Sequence, residues 1–238
     1  MNSIRLKNIS KSFDSGIVAV SDINLEVERG CTMVLAGPSG AGKTTILRLI
    51  AGLESPTCGD IYIDGQRVNE KEPRERDVAM VFQNFALYPH MTVYENMGFA
   101  LKMQRTPKEA IREKVRTAAK MLEIEELLKR KPYQLSGGQR QRAALGKAIV
   151  RQPKVFLFDE PLSNLDPMLR KNARWQIKDI LKKLNATAVY VTHDRREAAM
   201  LADRICILRD GKIQQIGTDD QIRRNPANEF VIRFFCED

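Results

Sequence analysis

Three separated groups of residues have the types and spacing for phosphate chemistry. Gly37-Pro38-Ser39-Gly40-Ala41-Gly42-Lys43-Thr44, followed by Thr45, carries the pattern G-x-x-x-x-G-K-[ST]. Glycines at 37, 40 and 42 let a backbone curl until its N–H groups face phosphate oxygens. A helix starting at the loop's end adds partial positive charge. Lys43 can reach β- and γ-phosphates, and the Thr44 hydroxyl can ligate Mg²⁺. The second group is Asp159-Glu160, at the end of the apolar run Val155-Phe156-Leu157-Phe158. Asp159 would hold Mg²⁺ through water, and Glu160 would polarise an attacking water as general base. The third is His193, after Val189-Tyr190-Val191-Thr192, one of 2 histidines in the chain. Its expected work is to contact a γ-phosphate and to orient water and Glu160. The plainer readings are a glycine-rich turn, a strand ending in solvated acids and a structural histidine. His90, in Tyr88-Pro89-His90-Met91, reads as a turn or interface residue.

The surrounding elements decide between these readings. Thr32-Met33-Val34-Leu35-Ala36 is a short apolar run, read as a buried strand, and Thr44–Ala51 has helical spacing. Strand, loop and helix form the context that the glycine-rich pattern requires. Val155–Phe158 and Ala188–Val191 read as further buried strands, whose C-terminal ends are where open α/β sheets place ligands. Residues 1–30 read as antiparallel strands: Ile4, Leu6 and Ile9, then Ile23, Leu25 and Val27, fall roughly on alternate positions. Asp60–Asp64 runs into an Asp-Gly turn, and a second hairpin is expected around Asp210-Gly211. From Phe85 to Arg151 the pattern turns helical, with Ile111, Val115, Ala118 and Leu122 in one stripe and Pro107 at its start. The expected fold is α/β. A mostly parallel, doubly wound core carries an N-terminal antiparallel β-subdomain and an inserted helical subdomain. The boundaries are a core of 1–84 and 152–238 and a helical subdomain of 85–151, within one domain of 1–238. Phe13, 24 positions before Gly37, either stacks on a nucleobase or fills the core.

Composition narrows the classes. With 238 residues and 43% hydrophobic content the chain can build a core. No apolar run approaches the roughly 20 residues of a membrane span. The N-terminal Met1-Asn2-Ser3-Ile4-Arg5-Leu6-Lys7 has no signal-peptide h-region, so an intracellular protein is expected. Cys31, Cys58, Cys206 and Cys236 are scattered and form no C-x-x-C pair, which suits reduced thiols. A net charge of +9 suits nucleotide or an anionic membrane face. Without a basic stripe interleaved with aromatics, no nucleic-acid partner is expected.

Leu135-Ser136-Gly137-Gly138-Gln139 resembles the signature of ATP-binding cassette (ABC) transporter ATPases, and with the motifs above the resemblance covers almost the whole chain. It implies a P-loop NTPase core of RecA-like type, with ATP and Mg²⁺. Asp159 and Glu160 resemble the Walker B pair and His193 the switch histidine. Ser163-Asn164-Leu165-Asp166 resembles the D-loop, with Asp166 at the nucleotide interface. Gln83, unremarkable by itself, resembles the Q-loop glutamine that touches Mg²⁺ or the attacking water. In this family Ser136, Gly137, Gly138 and Gln139 bind the γ-phosphate held by a partner cassette. The resemblance therefore implies a head-to-tail dimer, most simply of two identical subunits.

Phe82–Asn96 is similar to the sugar-importer branch, with polyamine and ferric-iron importers close by. That similarity implies a solute importer at the cytoplasmic face of the cell membrane, with transmembrane permease subunits and, indirectly, a solute-binding protein. The stretch Phe85–Asn96 is the expected permease-docking surface. An exporter ATPase and a soluble cassette acting on ribosomes or DNA are the alternatives. The latter carry paired cassettes or coiled-coil insertions, for which the 52 positions from Gln83 to Leu135 leave no room. Two departures from the family pattern, Asp194-Arg195-Arg196-Glu197 and Gly146-Lys147-Ala148, are expected to lie outside the catalytic machinery. Asn225–Val231 resembles the link to a regulatory β-rich domain, and with the chain ending at Asp238 that domain is expected to be absent.

Overall fold

A computed structural model describes residues 2–237. The chain divides into two compact units. One comprises the chain up to Val78, Lys154–Glu160 and the chain from Leu181 on; the other comprises Ala79–Pro153 and Pro161–Ile180.

The first unit holds two sheets. Strands β1 (Asn2–Ser12), β2 (Val18–Glu28), β4 (Cys58–Ile63) and β5 (Gln66–Arg67) form an antiparallel sheet in the order β2-β1-β4-β5. Ile4 faces Val27, Leu6 faces Leu25 and Ile9 faces Ile23, all buried. A bulge between Leu6 and Ile9, with Asn8 at φ 51°, explains why the apolar alternation slips by one residue. At the Asp64-Gly65 turn both residues have positive φ, 47° and 78°, as a tight two-residue hairpin needs.

The second sheet of this unit contains β3 (Thr32–Ala36), β7 (Val155–Asp159), β8 (Thr187–Thr192), β9 (Arg204–Arg209) and β10 (Lys212–Gly217), in the order β10-β9-β3-β8-β7. β9, β3, β8 and β7 run parallel, and β10 returns antiparallel. β3 and β8 are buried at every residue, as parallel strands covered on both faces must be. Ala36 pairs with Thr192, and Asp159 with Val191. Three neighbouring strands therefore end level with one another, each at a residue group singled out for its chemistry.

Helix α1 (Lys43–Ala51) packs Ile46, Leu47, Leu49 and Ile50 into this unit's core. Its C-terminus is held by a residue with no signature in the sequence. Arg76, 4% exposed, donates from Nη1 to the Leu49 and Ile50 carbonyls at 2.7 and 3.2 Å. Its Nε and Nη2 reach the Lys71 and Asn69 carbonyls. A cation there satisfies terminal carbonyls and opposes the negative end of the helix dipole.

The second unit begins within β6 (Val78–Val81) and is otherwise helical: α2 (Val93–Met103), α3 (Lys108–Met121), α4 (Gly137–Ile149) and most of α5 (Pro167–Lys183). The buried stripe of α3 is Ile111, Val115, Ala118 and Ala119, against α2 and α4. Thr92 and Glu95 form a reciprocal capping box at the start of α2. Gly146 lets α4 approach α2 closely; a Cβ there would lie 2.7 Å from Met97 Cε. The remaining helices are α6 (Arg195–Leu201), α7 (Asp219–Arg224) and α8 (Glu229–Val231), in the first unit. Among the described residues no helix is long and apolar enough to cross a membrane.

Arg76→Met leaves the end of α1 without its donor. The expected cost is about 1–3 kcal/mol for the orphaned buried carbonyls. A chain of this size loses about 2–4 °C of melting temperature per kcal/mol, so calorimetry should show a drop of several degrees. Arg76→Lys should recover only part of it, because one ammonium cannot fork to four carbonyls. An unchanged melting temperature for Arg76→Met would refute the capping role.

Candidate functional site

The loop between β3 and α1 is shaped by its neighbours. Gly42 sits at φ 92°, and a Cβ there would meet the Ala19 carbonyl of β2 at 2.6 Å, so only glycine fits. Gly42 is also the N-cap of α1, where no side chain accepts from the first-turn N–H groups and no acid lies in the first turn. The positive end of α1 is thereby left for an external anion. Lys43, 5% exposed, folds back over the loop, with Nζ donating to the Gly37 and Pro38 carbonyls at 2.8 Å each. Burial lowers its pKa, opposed by the charges of Glu160 and Asp159.

Thr44 Oγ1 donates to Asp159 Oδ1 at 2.9 Å, joining the loop to the end of β7. Burial holds the Asp159 carboxyl above its ordinary pKa; the Thr44 bond and the charges of Arg48 and Lys43 pull the other way. Glu160 follows in a left-handed conformation, φ 43°, with its N–H donating to the Val191 carbonyl at 3.2 Å. That turn takes the second carboxylate out of the strand's alternation. Its Oε2 lies 3.0 Å from His193 Nδ1.

His193 leaves the end of β8, and the turn around it is tightly held. Asp194 caps α6 by accepting from the Arg196 and Glu197 N–H groups at 2.7 and 3.2 Å. Buried Glu197 accepts from Thr192 Oγ1 and the Tyr190 hydroxyl at 2.8 and 3.1 Å. Of the departing segment Asp194–Glu197, two carboxylates therefore fix the strand end that carries His193. Residue type alone does not mark Glu197 for this, since an acid on a short helix reads as a solvated charge; the signal was the family pattern Asp-Gln-x-Glu, which Asp194 and Glu197 keep.

Phe13 is 38% exposed in the loop between β1 and β2, beside Ile17 and Val18 at 63% and 59%. It is not a core residue; the Lys11 ammonium lies 5.1 Å from its ring centroid, and the rest of the ring is open to a flat face. Lys43, Thr44, Asp159, Glu160 and His193 come together in the first unit, which also holds Phe13.

Gln83, Ser136–Gln139 and Asp166 belong to the second unit. Ser136 is the N-cap of α4, its Oγ accepting from the Gln139 N–H at 3.3 Å while the Gln139 amide oxygen takes the Ser136 N–H at 3.0 Å. Its hydroxyl proton stays available to an anion at the helix end. Asp166 accepts the Leu169 N–H at 3.0 Å. Gln83 is exposed in the turn after β6, where Asn164 Nδ2 donates to its carbonyl at 2.9 Å. His90 lies exposed in a turn, as its sequence context suggests.

The donor set suits Mg²⁺. Thr44 Oγ1 and Asp159 Oδ1 are neighbouring hard oxygens, beside a loop built for anions. Among the described residues no cluster of three or more His, Cys, Asp or Glu could cage a metal.

The ABC transporter family model matches residues 20–163. The sn-glycerol-3-phosphate import ATP-binding protein UgpC of Bartonella quintana is 55% identical, over 98% of this chain and 67% of its own length. The ABC transporter ATP-binding protein YurJ of Bacillus subtilis is 54% identical, over 98% and 64%. The chain thus spans about two thirds of these relatives. Among solved structures, the ATP-binding cassette MJ0796, dimeric in a post-hydrolysis state with ADP and Pi, aligns with a TM-score of 0.79 at 33% identity, over 90% of this chain and 98% of that one. CbiO1 of Clostridium perfringens, part of the ABC transporter complex cbiONQ, aligns with a TM-score of 0.87 at 26% identity, over 98% and 93%. A phosphate loop answered by two carboxylates and a histidine on adjoining strand ends is therefore no isolated motif: the chain belongs to the ABC transporter family, as an ATP-binding cassette ATPase.

Proposed function

We propose that this chain energises solute import: two cassettes bind ATP between them at the cytoplasmic face of the cell membrane and drive a transmembrane permease. The observation that carries the hydrolytic reading is the contact of Glu160 with His193, beside Lys43, Thr44 and Asp159 on three strand ends in register. Phe13 offers a ring to adenine. Residues Gly37–Thr45 receive the phosphates, and Lys43 exchanges its carbonyl partners for β- and γ-phosphate oxygens. Thr44 and Asp159 would hold Mg²⁺, with Gln83 as the further ligand that the family resemblance implies; the ion would supply charge neutralisation for the transferred phosphoryl group. Glu160 takes a proton from the attacking water, and His193 fixes its carboxylate and meets the γ-phosphate.

Ser136 and the N–H groups of Gly137 and Gly138 bind the γ-phosphate of the ATP held by the other cassette, with Gln139 and Asp166 at the same interface. The dimeric state of MJ0796 supports this arrangement. The names of the UgpC relatives support import of a sugar-related solute, delivered by a solute-binding protein that the cassette does not touch. Phe85–Asn96 is the permease-facing stretch. Val93 and Asn96 are buried within their own unit, which leaves Phe85, Ala86, Leu87, Tyr88, Met91 and Tyr94 as the apolar and aromatic part of the contact surface, with Tyr88 37% exposed.

Glu160→Gln should retain ATP binding and lose about 10²–10⁴-fold in hydrolysis. With Mg-ATP it should elute from gel filtration as a dimer, because the sandwich persists until hydrolysis. Near wild-type phosphate release would overturn the assignment of the base.

Glutamates at Tyr88 and Met91 should leave ATP affinity and folding intact and abolish co-purification with the permease. A melting temperature lowered by about 4 °C or more would instead make the segment part of the unit's packing.

A further inference from the structure

The turn after Gln83 holds two consecutive non-glycine residues in the left-handed region, Phe85 at φ 64° and Ala86 at φ 44°. Such a pair persists only where the surroundings over-determine it. Three side chains from three different parts of the second unit do so, all by bonding backbone carbonyls. Asn164 takes the Gln83 carbonyl at 2.9 Å. Asn96, fully buried on α2, accepts from the Tyr88 N–H at 2.7 Å and donates to the Tyr88, Met91 and Thr92 carbonyls at 3.1, 3.2 and 3.0 Å. Lys147, on α4, donates to the Ala86 carbonyl at 2.8 Å and lies 4.4 Å from the Tyr88 ring centroid.

Of the three, only Lys147 rises from the helix whose N-terminus carries Ser136, Gly137 and Gly138. The close approach of α4 to α2 at Gly146 sets its starting point. Its ammonium is half-buried, and burial lowers its pKa. The Tyr88 ring that it covers packs in turn on Phe99 of α2, with centroids 4.8 Å apart. A desolvated cation between a carbonyl and an aromatic face is a directional tie, not a solvated surface charge.

We propose that Lys147 is a positioning residue that locks the Phe85–Tyr88 turn to helix α4, so that displacement of α4 by nucleotide is carried into the permease-facing surface. The second half of this statement rests on the proposed function, which assigns a phosphate to the start of α4 and a permease to Phe85–Met91. The first half stands on geometry alone. The tie asks for two properties of residue 147, a cationic donor for the Ala86 carbonyl and a flat or compact charge over Tyr88. Arginine supplies both; methionine keeps the length and apolar stem but supplies neither.

Hydrogen exchange on the full chain tests this, comparing wild type with Lys147→Met and Lys147→Arg. Without nucleotide, Lys147→Met should speed exchange of the amides in residues 85–91 by about tenfold, the equivalent of one charge-assisted hydrogen bond. Exchange in the body of α2 and α4 should stay at wild-type rates, and Lys147→Arg should restore protection of the turn. In a Glu160→Gln background, Mg-ATP should alter exchange of 85–91 when residue 147 is Lys or Arg, and leave it unaltered when residue 147 is Met, with equal protection of residues 37–45 in all three. Unchanged exchange of the turn in Lys147→Met would overturn the proposal. So would acceleration spread through α2 and α4 with a lowered melting temperature, or failure of arginine to rescue. If Mg-ATP protects residues 37–45 in none of the proteins, the nucleotide reading fails, while the nucleotide-free comparison still decides the tie.

Discussion

The structure turns on a buried ammonium. Lys43 is almost fully enclosed, and removing a charge from water is costly unless hydrogen bonds and opposite charges replace the lost solvation. Two loop carbonyls and the fields of Asp159 and Glu160 do so here. Much of the first unit serves that arrangement. β3 and β7 must lie on either side of β8 for the loop and the carboxylates to meet, and their ends must be level. Gly42 must lack a side chain so that β2 can press against the loop. Arg76 must hold the far end of α1, so that the near end presents its dipole at a fixed angle. The carbonyls on Lys43 are modest partners for a cation. A phosphate is a stronger one, which makes the loop poised for anions.

The parts of this arrangement that were legible in the sequence share one physical property: they are strands buried on both faces. β3, β7 and β8 read as uninterrupted apolar runs, so the chemistry at their ends stood out. Both Asp-Gly hairpins were legible because their backbone demands those residues. Other positions were hidden for a common reason. Arg76, Asn96, Lys147 and Asn164 act by bonding backbone groups far away or out of period. A polar residue gives no periodic signal of the carbonyl it will meet. Phe13 illustrates the converse: its type allowed a core or a stacking position, and only the exposed loop between β1 and β2 separates the two. The resemblance at Leu135–Gln139 told what kind of machine this is, but not that Ser136 and Gln139 cap α4 reciprocally.

The second unit follows a different design. Its helices are packed by apolar stripes, yet the turn that follows Gln83 is specified by polar side chains that bond its carbonyls. Hydrogen-bonded polar pins of this kind have discrete arrangements, whereas an apolar contact can slide. The departure from the family pattern at Gly146-Lys147-Ala148 falls on one of those pins, so a residue that seemed incidental bears on how the turn is held.

The central claim is that Lys43 is a phosphate ligand parked on its own loop. Calorimetric titration of ATP with excess Mg²⁺ into wild type and Lys43→Met tests it most directly. The account predicts that Lys43→Met remains folded by calorimetry and binds ATP about 10- to 150-fold more weakly, the range for hydrogen bonds to a charged group. Affinity within about twofold of wild type, in a protein of unchanged stability, would contradict it.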